Sequence, residues 1–365
     1  MTDDFQQCMA QATRLTRAGD LNAATALLQQ ALRQHVSATP RADMGEVIDI
    51  ECREIGAGES GRTAPQPAVE PLRARTATPP TSASGTFTGQ CGTGRAARAF
   101  KLFVPPHAEQ GQPLPLIVML HGCTQNPDDF AAGTGMNDLA CEQGFCVLYP
   151  EQSRQANPQA CWNWFKPSHQ QRGRGEVATL ATMVRETVQR HRIDPARVYV
   201  AGLSAGGAMA AVLAQAYPDL IAAVGVHSGL PAGVARDLPS GLAAMKGQFP
   251  QRPAPMHTPT IVFHGDADPT VHQRNADALF DAVLPGSGTE RREQLQAAGG
   301  RRVTRKQRVT SDGRVVAEQW VLHGAGHAWS GGRATGSHTD PAGPSASAEM
   351  VRFFATHRLA VEMGS

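Results

Sequence analysis

From Thr86 onward the chain alternates short apolar runs with longer stretches of helical spacing, and this alternation restricts its fold more than any other feature. Leu116–Leu120, Phe145–Tyr149, Val198–Ala201, Ala222–Val226 and Thr260–Phe263 are almost wholly apolar and bounded by turn residues. Runs of that length without polar alternation read as strands buried on both faces. Helical spacing fills 134–143, 176–191, 205–216 and 273–284 between them, and Ser345–Arg358 closes the chain with another helix. Thr86–Gln90 with Ala99–Val104 reads as an opening hairpin, and Arg302–Val309 with Val315–Leu322 as a closing one that includes the final sheet strand. Strands and helices in alternation predict an α/β fold, a doubly wound and mostly parallel sheet. Ligands of such sheets sit beyond the carboxyl ends of the strands, so chemistry is sought just after each run.

The N-terminal part has a different character. Over 1–36, Phe5, Met9, Ala12 and Leu15, then Leu21, Ala24, Leu27, Leu28, Ala31 and Leu32 after Gly19-Asp20, give a small helical hairpin. It either packs on the main domain or docks to a protein or granule. Residues 37–85 are rich in Pro, Ala, Thr, Gly and Arg with no sustained period, and read as a linker. The α/β domain is then 86–365.

Lys and Arg total 34 against 32 Asp and Glu in 365 residues, a balance that excludes a strongly basic nucleic-acid binder. The basic stretch Arg291–Arg308 is interleaved with Glu and apolar residues and reads as a solvated strand, so no nucleic-acid partner is expected. No segment approaches the ~20 apolar residues of a membrane span. Met1–Phe5 is acidic and polar residues follow it, unlike a signal peptide, so the expected location is cytoplasmic. The seven cysteines form no CxxC pair, which argues for scattered structural thiols over a zinc site.

After Val198–Ala201 comes Gly202-Leu203-Ser204-Ala205-Gly206-Gly207 and then an apolar helix, a G-x-S-x-G pattern in a strand–turn–helix setting. A sharp turn there exposes the Ser204 hydroxyl and aims the helix's first N–H groups at it. The required base is His327, on the glycine loop His323-Gly324-Ala325-Gly326-His327 after the last strand. His323 and His327 have a spacing that on a helix could bind metal, but the two glycines between them argue against a helix. His323 reads as structural. The orienting acid follows Thr260–Phe263 in His264-Gly265-Asp266-Ala267-Asp268-Pro269, where either carboxylate could serve. Pro269 biases Asp268 to an extended, outward conformation. Ser204, Asp268 and His327 follow the chain order of α/β-hydrolases. The oxyanion needs backbone donors. Ala205 N–H follows the nucleophile, and Cys123 N–H in Leu120-His121-Gly122-Cys123-Thr124-Gln125 follows an earlier strand. The Cys123 thiol is itself a candidate nucleophile, but no such role is needed beside Ser204.

At these residues the chain resembles the polyhydroxybutyrate (PHB) depolymerase family of esterases, from about residue 97 to 356. The similarity includes the Leu120–Gln125 segment, Cys161-Trp162-Asn163-Trp164-Phe165, and Gly202 through Met209. It continues through His264–Asp268, Gly324 through Gly332, and Asp340–Pro344 with the closing helix. The family pattern H-G-x-x-D-x-x-V implies that the acid is Asp268 and matches Val271. The resemblance also implies an α/β-hydrolase fold, the Cys123 donor and the His327 base. Trp162 and Trp164 match an aromatic segment that would line the substrate cleft, with core packing as the other reading. The similarity further suggests a Cys123–Cys161 disulfide, which a reducing cytosol would oppose. Many similar members are secreted, which makes extracellular the alternative location.

The expected activity is serine ester hydrolysis through an acyl-enzyme, with no cofactor and no metal. The expected substrate is a 3-hydroxyalkanoate oligomer or polymer, or a short-chain ester. The absence of a signal peptide or polymer-binding module favours soluble oligomers, short-chain esters or an intracellular granule over solid extracellular polymer. The alternative is an acetyl- or feruloyl-esterase acting on carbohydrate-linked esters. Leu230 to Pro259 is expected to form a lid or cap insertion.

Overall fold

A computed structural model of the chain describes residues 52–53, 84–92, 97–284 and 288–360. The chain divides into two units, Met1–Ile48 and Asp49–Ser365. The helical hairpin expected over 1–36 lies outside the described residues, as does most of the linker.

The second unit is built on strands β1 (Cys52–Arg53), β2 (Gly85–Cys91), β3 (Arg98–Val104), β4 (Leu114–Leu120), β5 (Cys146–Pro150) and β6 (Ile193–Leu203). They are followed by β7 (Ala223–His227), β8 (Thr260–Gly265), β9 (Thr289–Gln296), β10 (Arg302–Val309) and β11 (Val315–Leu322). All belong to one sheet of order β1-β2-β3-β5-β4-β6-β7-β8-β11-β10-β9. From β5 to β11 along that order, neighbours run parallel. Both flanks are antiparallel. The helices are α1 (Pro127–Thr134), α2 (Met136–Gln143), α3 (Gly175–Arg190), α4 (Ala205–Ala216), α5 (Leu238–Met245), α6 (Arg274–Ala282) and α7 (Ala346–Ala355).

The apolar runs lack polar alternation because each parallel strand buries both faces. Along β4, Leu116, Val118 and Leu120 join a core with Leu180 and Val184 of α3, Met209 and Val212 of α4, and Leu279 of α6. Ile117 and Met119 point the other way, into a core with Phe130 of α1, Met136 of α2, and Met350 and Phe353 of α7. This is the doubly wound arrangement expected from the sequence.

Three elements depart from the sequence-based expectation. The helix expected at 134–143 runs over Met136–Gln143 and is preceded by a helix the sequence reading did not include, α1, which Asn126 caps by accepting from Asp129 N–H and which Gly135, at φ 62°, separates from α2. The closing hairpin has a third strand, β9, whose residues are exposed almost throughout and so carry no apolar period. Cys52–Arg53, inside the segment read as linker, pairs antiparallel with β2, where a sheet edge accepts any short extended piece.

Candidate active site

Ser204 is the junction between β6 and α4, at φ 57° and ψ −120°. A non-glycine residue rarely takes a positive φ, and the surroundings must impose it. Here Ser204 N–H donates to His227 O at 2.9 Å, and Ser204 O accepts from Ala208 N–H at 2.9 Å. The flanking Gly206 is obligatory on steric grounds, since a Cβ on it would lie 2.0 Å from Leu120 O. Ser204 is half-buried within an otherwise buried stretch, so the turn presents it alone to solvent.

Asp268 and His327 leave the ends of β8 and β11, which are parallel neighbours. His327 Nδ1 lies 2.7 Å from Asp268 Oδ2. The other carboxylate oxygen accepts from Thr270 N–H at 2.8 Å and Val271 N–H at 2.9 Å. His264 is buried and donates from Nε2 to Val271 O at 2.7 Å, bracing the same turn, and the same nitrogen is 3.6 Å from Asp268 Oδ2. Burial works to raise the Asp268 pKa, but the hydrogen bond and charge of His327 and the two N–H groups outweigh it and lower the pKa. An ionised carboxylate on Nδ1 fixes the imidazole tautomer and leaves Nε2 as the basic nitrogen.

Asp266 takes a separate partner. Its Oδ2 lies 2.8 Å from His323 Nδ1, its Oδ1 accepts from Gly324 N–H at 2.6 Å, and His323 Nε2 lies 2.8 Å from Thr304 Oγ1. The two histidines therefore use different carboxylates. Of the two carboxylates, Asp268 is the one that meets His327 and Asp266 the one that meets His323.

His227, at the end of β7, joins the two halves. Its carbonyl receives the Ser204 N–H, and its Nε2 accepts from Ser330 N–H at 2.9 Å, three residues beyond His327. Burial, and then the nearby His264 and His327, keep its pKa well below the usual histidine range, so it acts as a neutral brace. Nothing in the sequence pattern distinguishes this role.

Cys123 follows β4 and is joined to Cys161 by a disulfide. Thr124 and Ala160, beside the two half-cystines, both have positive φ (66° and 52°), and Thr124 N–H donates to Gln159 O at 2.7 Å. Among the described residues, neither Cys123 N–H nor Ala205 N–H has an acceptor. Trp162 is fully buried, its indole N–H donating to His121 O at 3.1 Å, so the core-packing reading describes it and it offers no surface to a cleft. Trp164 stands edge-on to the partly exposed Phe165, with Gly241 of α5 against both, so the 230–259 segment reaches this aromatic pair.

Glu176 carries no motif or spacing that would mark it in the sequence. This buried carboxylate, in the first turn of α3, accepts from Gln152 Nε2 at 2.6 Å, Asn163 N–H at 2.8 Å and Asn163 Nδ2 at 2.7 Å. Arg98 and His169 lie 3.4 Å away. Burial raises its pKa, but the hydrogen bonds from His169, Gln152 and Asn163 prevail and bring it down to about 2. Gln152 N–H in turn donates to His121 Nε2 at 3.1 Å, which ties the aromatic segment to the Cys123 loop.

The sequence signature of the family described as Esterase PHB depolymerase matches residues 98–309, more than half of the chain. The chain belongs to this family. The match includes Cys123, Ser204 and Asp268 and ends before His327. A poly(3-hydroxyalkanoate) depolymerase C of Paucimonas lemoignei is 32% identical over 60% of this chain and 57% of that protein. A probable acetylxylan esterase A of Aspergillus clavatus is 30% identical over 44% of this chain and 58% of that protein. The chain thus spans little more than half the length of these curated relatives. Among solved structures, an acetyl xylan esterase from Aspergillus awamori superposes with a TM-score of 0.55 at 17% identity, covering 74% of this chain and 99% of that one. That likeness bears on the fold alone, and the fold is that of an α/β-hydrolase. No helix among the described residues is long and apolar enough to cross a membrane.

Proposed function

We propose that the chain is a serine carboxylic ester hydrolase in which Ser204, His327 and Asp268 form the catalytic triad. The observation that carries this reading is the 2.7 Å Asp268–His327 contact at the same end of the sheet as the left-handed Ser204 turn. His327 Nε2 takes the Ser204 Oγ proton as the oxygen attacks the ester carbonyl. The resulting oxyanion is received by Cys123 N–H and Ala205 N–H. Collapse of the tetrahedral intermediate expels the alcohol, which takes its proton from His327 and leaves an acyl-enzyme. Water then repeats the cycle, releases the acid and restores Ser204. The chemistry needs no cofactor.

The substrate we propose is an oligo- or poly(3-hydroxyalkanoate), supported by the family and by the depolymerase relative. The acetylxylan esterase relative supports a second reading, an esterase of carbohydrate-linked acetyl groups. Phe165, partly exposed beside the buried Trp164, would line the acyl or alcohol side of the cleft. The Cys123–Cys161 disulfide favours an oxidising compartment, and we therefore adopt the extracellular location in place of the cytoplasmic one.

Hydrolysis of the 3-hydroxybutyrate dimer and trimer, amorphous polymer and acetylated xylan, each with the Ser204→Ala protein beside it, tests both parts. The expected outcome is turnover of the hydroxybutyrate esters, with a loss of at least about 10³-fold in Ser204→Ala. Activity retained by Ser204→Ala overturns the mechanism. Turnover of acetylated xylan alone moves the substrate to the second reading.

A further inference from the structure

We infer that Gln125 is a positioning residue that sets the Cys123 oxyanion donor and ties it to the arm carrying the catalytic histidine. The inference rests on the reading of Cys123 N–H as an oxyanion donor.

Gln125 is buried. Its Oε1 accepts from Gly122 N–H at 2.9 Å, and its own N–H reaches Gly122 O at 3.4 Å, so backbone and side chain together close the turn Gly122–Gln125 around Cys123. The Nε2 group faces the other way and donates to Asp129 Oδ2 at 2.8 Å and to Ser337 O and Oγ, each at 3.2 Å. One acceptor and two donor hydrogens are thus all in use, and a flipped amide would set donor against donor at Gly122.

The far side of this amide belongs to the segment that follows His327. Strands β12 (Trp329–Ser330) and β13 (Thr339–Asp340) pair in parallel and close residues 329–340 into a loop that starts two residues after His327. Ser337, on that loop, donates its N–H to Asp129 Oδ1 at 2.8 Å and its hydroxyl to Asp129 Oδ2 at 2.6 Å. The loop lies directly against α1, where Arg333 N–H donates to Gly133 O at 2.8 Å. A Cβ on Gly336 would meet Gly133 Cα at 2.4 Å, so the two backbones lie in close contact. Gln125 is therefore the side chain through which the Cys123 turn and the histidine arm are held in register. Two of the three partners it reaches directly lie on other segments, one of them 212 residues away. Its position in the Leu120–Gln125 segment serves the relation between the two halves of the site, beyond the local turn.

The test uses the full chain, a soluble 4-nitrophenyl ester and thermal melting, with wild type and Ser204→Ala as references. Gln125→Met removes both the acceptor and the donors. Gln125→Glu keeps the acceptor and the shape but places a second carboxylate against Asp129. Losing one oxyanion donor costs 10²–10³-fold in kcat, so a misplaced donor should lower kcat roughly tenfold to a hundredfold in Gln125→Met, with KM within about twofold. In Gln125→Glu the new carboxyl faces Asp129, with His121 and His338 as the neighbouring titratable groups. Like charge and burial raise the pKa of that carboxyl, and its protonated form again donates to Asp129. The ratio of Gln125→Glu to wild-type kcat should therefore rise as pH falls from 8 to 6, since pH effects common to both enzymes cancel in the ratio.

A melting temperature that drops in Gln125→Met while kcat per folded molecule stays at the wild-type value would reduce Gln125 to a packing role and overturn the inference. If Gln125→Met does not fold, Gln125→Glu decides, and a flat pH ratio or an undiminished kcat overturns it. Failure of the underlying reading is seen separately, as activity that survives Ser204→Ala.

Discussion

Asp266 and Asp268 are two residues apart, yet their side chains serve different histidines. Asp268 is closed in by two backbone N–H groups and His327, with no exposed side-chain surface, whereas Asp266 and His323 are each about a third exposed, and Asp266 holds the Gly324 backbone. Asp268→Asn should lower kcat by about 10³- to 10⁴-fold, because the amide can present an N–H to Nδ1 and impose the wrong tautomer. Asp266→Asn keeps an acceptor for Gly324 N–H and should cost about tenfold or less. Steady-state kinetics of both variants on one soluble ester checks this, and equal losses would move the orienting role away from Asp268. Asp268 is legible in sequence only through the Pro269 bias and the family pattern. The division of labour depends on which histidine each carboxylate reaches across two strand ends, and that is a tertiary fact. His227, Glu176 and Gln125 were silent for the same reason, since each acts through partners remote in sequence.

The β6–turn–α4 element shows why some local structure is readable from few letters. Gly202 and Gly206 stand where the turn is pressed against the end of β4, so the residue type is dictated by space that no side chain can enter. Gly206→Ala should destabilise the protein by about 3 kcal/mol as an overpacked site, and it should also displace Ala205 N–H and depress kcat. Urea unfolding alongside kinetics measures both, and a wild-type midpoint would show that the turn can relax. The buried parallel strands were equally legible, because two buried faces leave an unbroken apolar run. The strand β9 was not, since a strand wet on both sides has no period to read. The Pro and Gly residues in α1 and α5 likewise hide helices whose ends are fixed by caps: Asn126 on Asp129 N–H, and Asp237 on Ser240 N–H at 2.8 Å.

At the scale of the whole molecule, a set of histidines among the described residues is held neutral inside the fold. His121, His227, His264 and His357 all have their pKa lowered, chiefly by burial. The unfolded chain protonates them near the ordinary value of about 6.5. Above that value both states are neutral and nothing changes. Below it the unfolded state binds more protons, so stability is lost as pH falls from 6.5 through the lower folded values. Asp268 and Glu176 act further down: their stabilisation is complete above the ordinary carboxylate range and is lost as pH falls through their depressed values, about 2 for Glu176. The melting temperature should stay level between pH 8 and 7, fall between pH 7 and 5, and fall again below pH 4. A level melting temperature from pH 7 to 5 would mean that the imidazoles gain protons without leaving the core.

The sheet ends at β9, and its ending has a consequence for how copies of this chain meet. That strand is held to β10 by the backbone ladder and by charge, with Glu293 on Arg305 and Glu290 on Arg308. Its outer ladder faces solvent beside Arg291, Arg292 and Glu293, all exposed. A foreign strand arriving there would find backbone groups to pair with but no apolar surface to bury, and charge of both signs to desolvate. The open border of an otherwise adhesive surface is thereby made a poor template, which protects a concentrated or freshly refolded solution from growing fibrils strand by strand.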